Sequence, residues 1–185
     1  VFKQKYQSFN KGWYEKYGWY LFIPLINEDE HRFKTLHCLT TLDNEQDFDE
    51  QILSLVKLFI DSLNQEELIK NIHVEKKEVI DFLKKKDVEN LKDIKTGIDK
   101  FELFILSQRY SIPNMFDFLR KLQALRSFDV AHRKSSDKTK RKSIINFFGL
   151  DTKHKQEILD NIFRDAVKTL LTLEDLFIND NLVSK

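Results

Sequence analysis

One cysteine, two prolines and four glycines are few for 185 residues, and each scarcity removes a class of architecture. With Cys38 alone, neither an internal disulfide framework nor a thiolate zinc site is available, which suits a reducing cytoplasm. So few turn formers disfavour an all-β fold and favour long helices. No apolar run approaches the roughly 20 residues of a membrane helix. The longest candidate, Trp19 to Ile26, is short and contains Pro24. Lys3, Lys5 and Lys11 lead into no apolar signal-peptide core. Neither sign of charge is in excess: 31 Lys and Arg face 30 Asp and Glu, leaving +1. No global field therefore draws in polyanions, and any nucleic-acid affinity must come from a local patch. There is no glycine-rich phosphate loop and no glycine-flanked nucleophilic serine, which argues against nucleotide hydrolysis and serine esterase chemistry.

What is present suits one well-cored globular domain. Hydrophobic residues make up 41% and charged residues 33%, and sixteen phenylalanines predict an aromatic-rich core. Residues 1–42 form an aromatic-rich N-terminal extension, with Trp13, Tyr14, Tyr17, Trp19, Tyr20 and Phe22 clustered around Gly12 and Gly18. Its short apolar runs fit two strands, as a β-hairpin, or a short helix with an extended arm. Residues 43–185 read as an all-α helical bundle. Ile52, Leu55, Val56, Phe59, Ile60 and Leu63 fall at helical spacing after a start near Asp47. Shorter helices follow around Val79 to Leu83 and from Ile98 toward Tyr110. The next is capped by Ser111 or Asn114, with Pro113 in its first turn, and buries Met115, Phe118, Leu119, Leu122 and Leu125. The run "SIINFFGL" ends at Gly149, and Asp151 or Thr152 opens the longest helix, with a stripe from Ile158 to Phe177. The chain opens on Val1 rather than Met, which leaves room for further domains before it.

The stretch that stands apart is "LRSFDVAHRKSSDKTKRK", Leu125 to Lys142. Arg126 and His132 stand at the end of a core-facing helix, and Arg133, Lys134, Lys138, Lys140, Arg141 and Lys142 supply six cations in ten residues. An Arg and a His so spaced are a weak signal alone, and Arg32 with His37 is a decoy elsewhere in the chain. Context favours the later pair. On a straight helix, positions six apart lie roughly 120 degrees from each other, so the two side chains do not converge on one atom. Either the helix breaks between them, with Ser127 or Asp129 capping a new turn, or two copies of the motif meet across a dimer.

On these residues the chain resembles the HEPN superfamily of small helical nucleases, whose hallmark is an Arg, four to six residues, then a His at the end of a bundle helix. Arg126 and His132 match that pair, Leu122 and Leu125 the apolar positions before it, and Ala131 the small residue before the His. The resemblance covers about 48–178. It departs at Ser127, where active members commonly carry Asn, Asp or His. It departs again at Lys134, where members that partner a minimal nucleotidyltransferase often carry Tyr. The resemblance implies an antiparallel bundle, a homodimer with one composite site, and metal-independent endoribonuclease activity, as an antiviral or toxin effector. In that chemistry the strand's own 2′-hydroxyl attacks the adjacent phosphorus. His132 would be general base or acid, Arg126 the clamp on the developing charge, and Ser127 and Asp129 partners of the imidazole. The basic tract would bind the RNA backbone. No metal and no cofactor is implied. The alternative is a catalytically inactive HEPN-like module that binds RNA or a protein partner.

Other groups carry less. Trp13, Tyr14, Trp19 and Tyr20 fit either base stacking or packing against the bundle. Glu28, Asp29 and Glu30 beside His31 resemble a metal site only superficially.

Overall fold

The computed structural model describes residues 1–26, 29–127 and 138–179, and over these the chain is an all-α bundle with nine α-helices. They are α1 (Phe2–Tyr17), α2 (Glu30–Thr35), α3 (Glu45–Val56), α4 (Gln65–Lys70), α5 (Lys77–Lys85), α6 (Gly97–Ser107), α7 (Pro113–Arg126), α8 (Lys138–Phe148) and α9 (Lys155–Phe177). No described helix is long and apolar enough to cross a membrane.

The β-hairpin alternative for residues 1–42 is not what the described residues adopt. Phe2, Tyr6, Phe9 and Trp13 recur at intervals of four, three and four, the period of one helical face, and all are buried in α1. Backbone pairing here is one isolated bridge between Phe22 and Leu63. Phe2 meets Phe163 at one end of the α1–α9 contact and Trp13 meets Phe177 at the other, so the two helices run in the same direction. Gly12 permits that approach, because a Cβ there would come within 3.3 Å of Ile178 Cδ1. Gly18, at φ 75°, takes the left-handed turn that ends α1. Lys5 pairs with Glu174, and the Tyr17 hydroxyl donates to the Phe177 carbonyl at 2.8 Å.

The central helix is α3, whose N-cap lies three residues before Asp47, because Asn44 accepts the Asp47 amide at 3.1 Å. It widens into a π-helical turn over Lys57–Asp61, closed by the Ser62 amide donating to the Lys57 carbonyl at 3.1 Å. Leu58, Phe59 and Ile60 are all buried there. One face packs under the N-terminal aromatics, with Phe22 stacked on Phe59 at 5.0 Å and the Tyr6 hydroxyl donating to the Leu58 carbonyl. Burial pushes the Tyr6 phenol up to about 12.

The second layer is α6 and α7 with α4 and α5 against α6. The predicted α7 stripe is buried at every position, from Met115 to Leu125. Its N-cap is Ile112, with Pro113 the first helical residue, so neither Ser111 nor Asn114 caps it. The start of the longest helix also differs: α9 opens after His154 rather than at Asp151 or Thr152. Its first amide, Lys155 N–H, donates to Asp43 at 3.1 Å, and His154 Nδ1 lies 2.7 Å from the same carboxylate. A residue 112 positions away caps α9, a partnership with no local signature.

Candidate functional site

The candidate site begins at the C-terminal end of α7. Leu122 and Leu125 face the core, which turns Arg126 outward, and α7 stops there with Ser127 as its C-cap. The last helical residue is thus Arg126 itself, and any new turn capped by Ser127 or Asp129 lies outside the described residues. Ser127 is exposed and its amide donates to the Ala124 carbonyl at 3.1 Å. His132, Asp129, Arg133 and Lys134 lie outside the described residues.

Arg126 is not left to solvent. Its Nη1 donates to Asp61 Oδ2 at 2.6 Å, with both side chains about 30% exposed. Asp61 is the last residue of the π turn. The extra residue in that turn rotates the downstream backbone relative to a regular helix, and it is there that the carboxylate meets α7. A single Arg–carboxylate bond leaves other guanidinium donors for a second anion, so the contact orients the group and places a negative charge beside it. Sequence reading did not find Asp61, which lies 65 positions from its partner inside what reads as an ordinary apolar stripe.

The basic residues of the site stand on α8. Lys138, Lys140, Arg141 and Lys142 are all exposed, while Ile144 and Phe148 bury the helix against α7. The Lys121 ammonium bonds the Ser143 hydroxyl. Lys142 adjoins Ser143, so the basic helix meets α7 near Lys121, whereas Arg126 lies five residues further on, about 7.5 Å along the axis and roughly 140 degrees around it, and turns to Asp61. The first turn of α8 carries cations and no acid, against the preference of a helix start for negative charge.

The decoy pair does not form a site. Arg32 Nε donates to Asp29 at 2.7 Å, whereas His37 sits with Nδ1 2.7 Å from the Thr35 carbonyl and Nε2 3.2 Å from Asp47. The Thr35 carbonyl first, then Asp47, holds the His37 imidazole above its ordinary value. Asp29 also takes Lys57, and Glu30 takes Lys34, so these carboxylates are engaged by cations. Among the described residues no three His, Cys, Asp or Glu side chains gather as metal ligands. The Cys38 thiol is pushed up by burial and by Asp160, which disfavours the thiolate.

No family model matches the chain, and no curated protein or solved structure is detectably similar to it.

Proposed function

We propose that the protein is a metal-independent endoribonuclease of the HEPN kind, acting as a homodimer and serving as an effector in antiviral defence or a toxin system. The observations that support the reading are Arg126 at the outward-facing end of α7 and the exposed cations at the start of α8, a helix that packs on α7. A guanidinium stays charged at every working pH and offers paired donors to a phosphate, and lysines beside it hold the backbone through counterion release. His132, six positions on, supplies the group that titrates near neutrality. It removes the 2′-hydroxyl proton, the oxygen attacks the adjacent phosphorus, and the bond to the 5′-oxygen breaks. The leaving oxygen takes a proton, and the upstream strand ends in a 2′,3′-cyclic phosphate. Arg126 stabilises the charge that builds on the phosphorane.

A second reading is favoured by a specific contact. Arg126 already holds the Asp61 carboxylate, and Ser127 stands where active relatives commonly carry a stronger polar group, which suits a module that binds RNA without cutting it. Incubation with labelled RNA in EDTA separates the two. Cleavage that persists without metal and vanishes in His132→Ala supports the nuclease. Retention without product, indifferent to His132→Ala but lost when Lys140, Arg141 and Lys142 are neutralised, supports the binding module.

A further inference from the structure

The first turn of α1, residues 36–38 after α2 and residues 160–167 of α9 border an open cleft of about 550 Å³, within the size range of small-molecule sites. Its floor is apolar. Phe2 and Leu36 are buried there, the Phe2 and Phe163 rings meet at 5.7 Å between centroids, and Val167 continues the surface one turn along α9. Phe163 and Val167 are only partly covered by the rest of the chain, so apolar area is left for an occupant to bury.

Charged groups reach this cleft from its rim, and they are not balanced. The Lys3 ammonium donates to the Lys34 carbonyl at 2.8 Å, and the exposed Arg164 guanidinium donates to the Asn161 side-chain oxygen at 2.8 Å. Both acceptors are neutral, and neither cation is ion-paired among the described residues. A single bond to Asn161 leaves further guanidinium donors for an anion. The one carboxylate of the rim, Asp160, hydrogen-bonds the Cys38 thiol, and the His37 imidazole is turned to the Thr35 carbonyl and Asp47. Two cations against one carboxylate leave positive charge in excess above an apolar floor.

We infer that this cleft binds a small apolar carboxylate of the fatty-acid class, with its carboxylate on Arg164 and Lys3 and its tail along Phe2, Phe163 and Val167. Charge-assisted bonds from a guanidinium fix the head group, and burial of the tail supplies the rest of the affinity. The excess positive charge is what separates this ligand from the alcohol or the amine of the same chain length. The site is independent of the cleavage reading, because neither Arg126, Asp61 nor any residue of α8 lines it. Loss of RNA cleavage in His132→Ala and loss of carboxylate binding in this cleft are thus separate results.

Cys38 is the chain's one cysteine and lines the cleft, so its alkylation reports occupancy at this place alone. The test is the rate at which N-ethylmaleimide labels the whole protein in mildly alkaline buffer, titrated with decanoate, decanol, decylamine and butyrate, each below its micelle concentration. Decanoate is expected to slow labelling at least fivefold at saturation, at a concentration at least fivefold lower than decanol needs. Decylamine should not protect, and butyrate, which has the charge but little tail, should protect only far more weakly than decanoate. Arg164→Gln should raise the decanoate concentration required at least fivefold and leave that for decanol unchanged, and Lys3→Gln should act in the same direction. Urea midpoints equal to that of the wild type establish that both variants fold. Labelling indifferent to decanoate, equal protection by decanol, or decanoate protection unchanged in both Arg164→Gln and Lys3→Gln overturns the assignment.

Discussion

Asp61 gives Arg126 a partner at 2.6 Å and also a competitor for any phosphate that approaches the same guanidinium. Replacing the carboxylate by an amide of the same shape removes the competing charge and keeps the space filled. Asp61→Asn is therefore expected to raise affinity for single-stranded RNA several-fold at low salt, as measured by filter retention, with the gain absent in the Arg126→Ala background. The cost in stability should stay at about 0.5–1 kcal/mol, because a pair exposed to this degree is screened by water. Unchanged affinity in Asp61→Asn would mean that the ion pair has no bearing on RNA. Neither residue advertised this relationship in the sequence. Arg126 was legible because it ends a clean apolar stripe, but Asp61 meets it only through a π turn that the apolar spacing of residues 52–63 conceals.

Helices α5, α6 and α7 are joined through Asp99, which accepts Arg120 at 2.6 Å and Lys86 at 3.1 Å, while Glu102 takes a further bond from Arg120. Burial raises the Asp99 carboxyl, but the bonds from Arg120, Thr96 and Lys86 outweigh it and hold it below its ordinary value. A depressed carboxylate contributes stability that is fully present above the unfolded value of about 3.9 and is lost as pH falls through the lower folded value. Urea denaturation should accordingly show a stability loss in acid that Asp99→Asn lacks, and Arg120→Ala should cost about 1–2 kcal/mol at neutral pH. On α8, neutralising Lys140, Arg141 and Lys142 together should flatten the salt dependence of RNA binding by about 2 in log–log slope. An unaltered slope would place RNA on another face. The long helices were readable because their apolar residues keep one face: every predicted α7 position is buried, and α9 follows its stripe. The start of α9 was not readable, since its cap comes from Asp43 in another segment. In α1 the 4-3-4 spacing of Phe2, Tyr6, Phe9 and Trp13 was present but masked by the denser aromatic cluster downstream of it.

Across the molecule the core is one continuous aromatic and aliphatic body that includes the N-terminal helix. Trp13 is its clearest probe, fully buried among Phe9, Trp19, Phe104 and Phe177. Trp13→Ala is expected to destabilise the whole chain by about 3–5 kcal/mol in a single cooperative transition. Loss of α1 alone, with the rest still folded, would show instead that the first residues are an appendage. Arg126 ends α7 and the exposed cations open α8, which packs on α7, and the functional account turns on whether His132 joins them in one site. The most direct measurement is end-group analysis of RNA incubated with the protein in EDTA. The account predicts 2′,3′-cyclic phosphate and 5′-hydroxyl ends that form in the wild type and disappear in His132→Ala. Intact RNA, or the same ends at the same rate in His132→Ala, would contradict it.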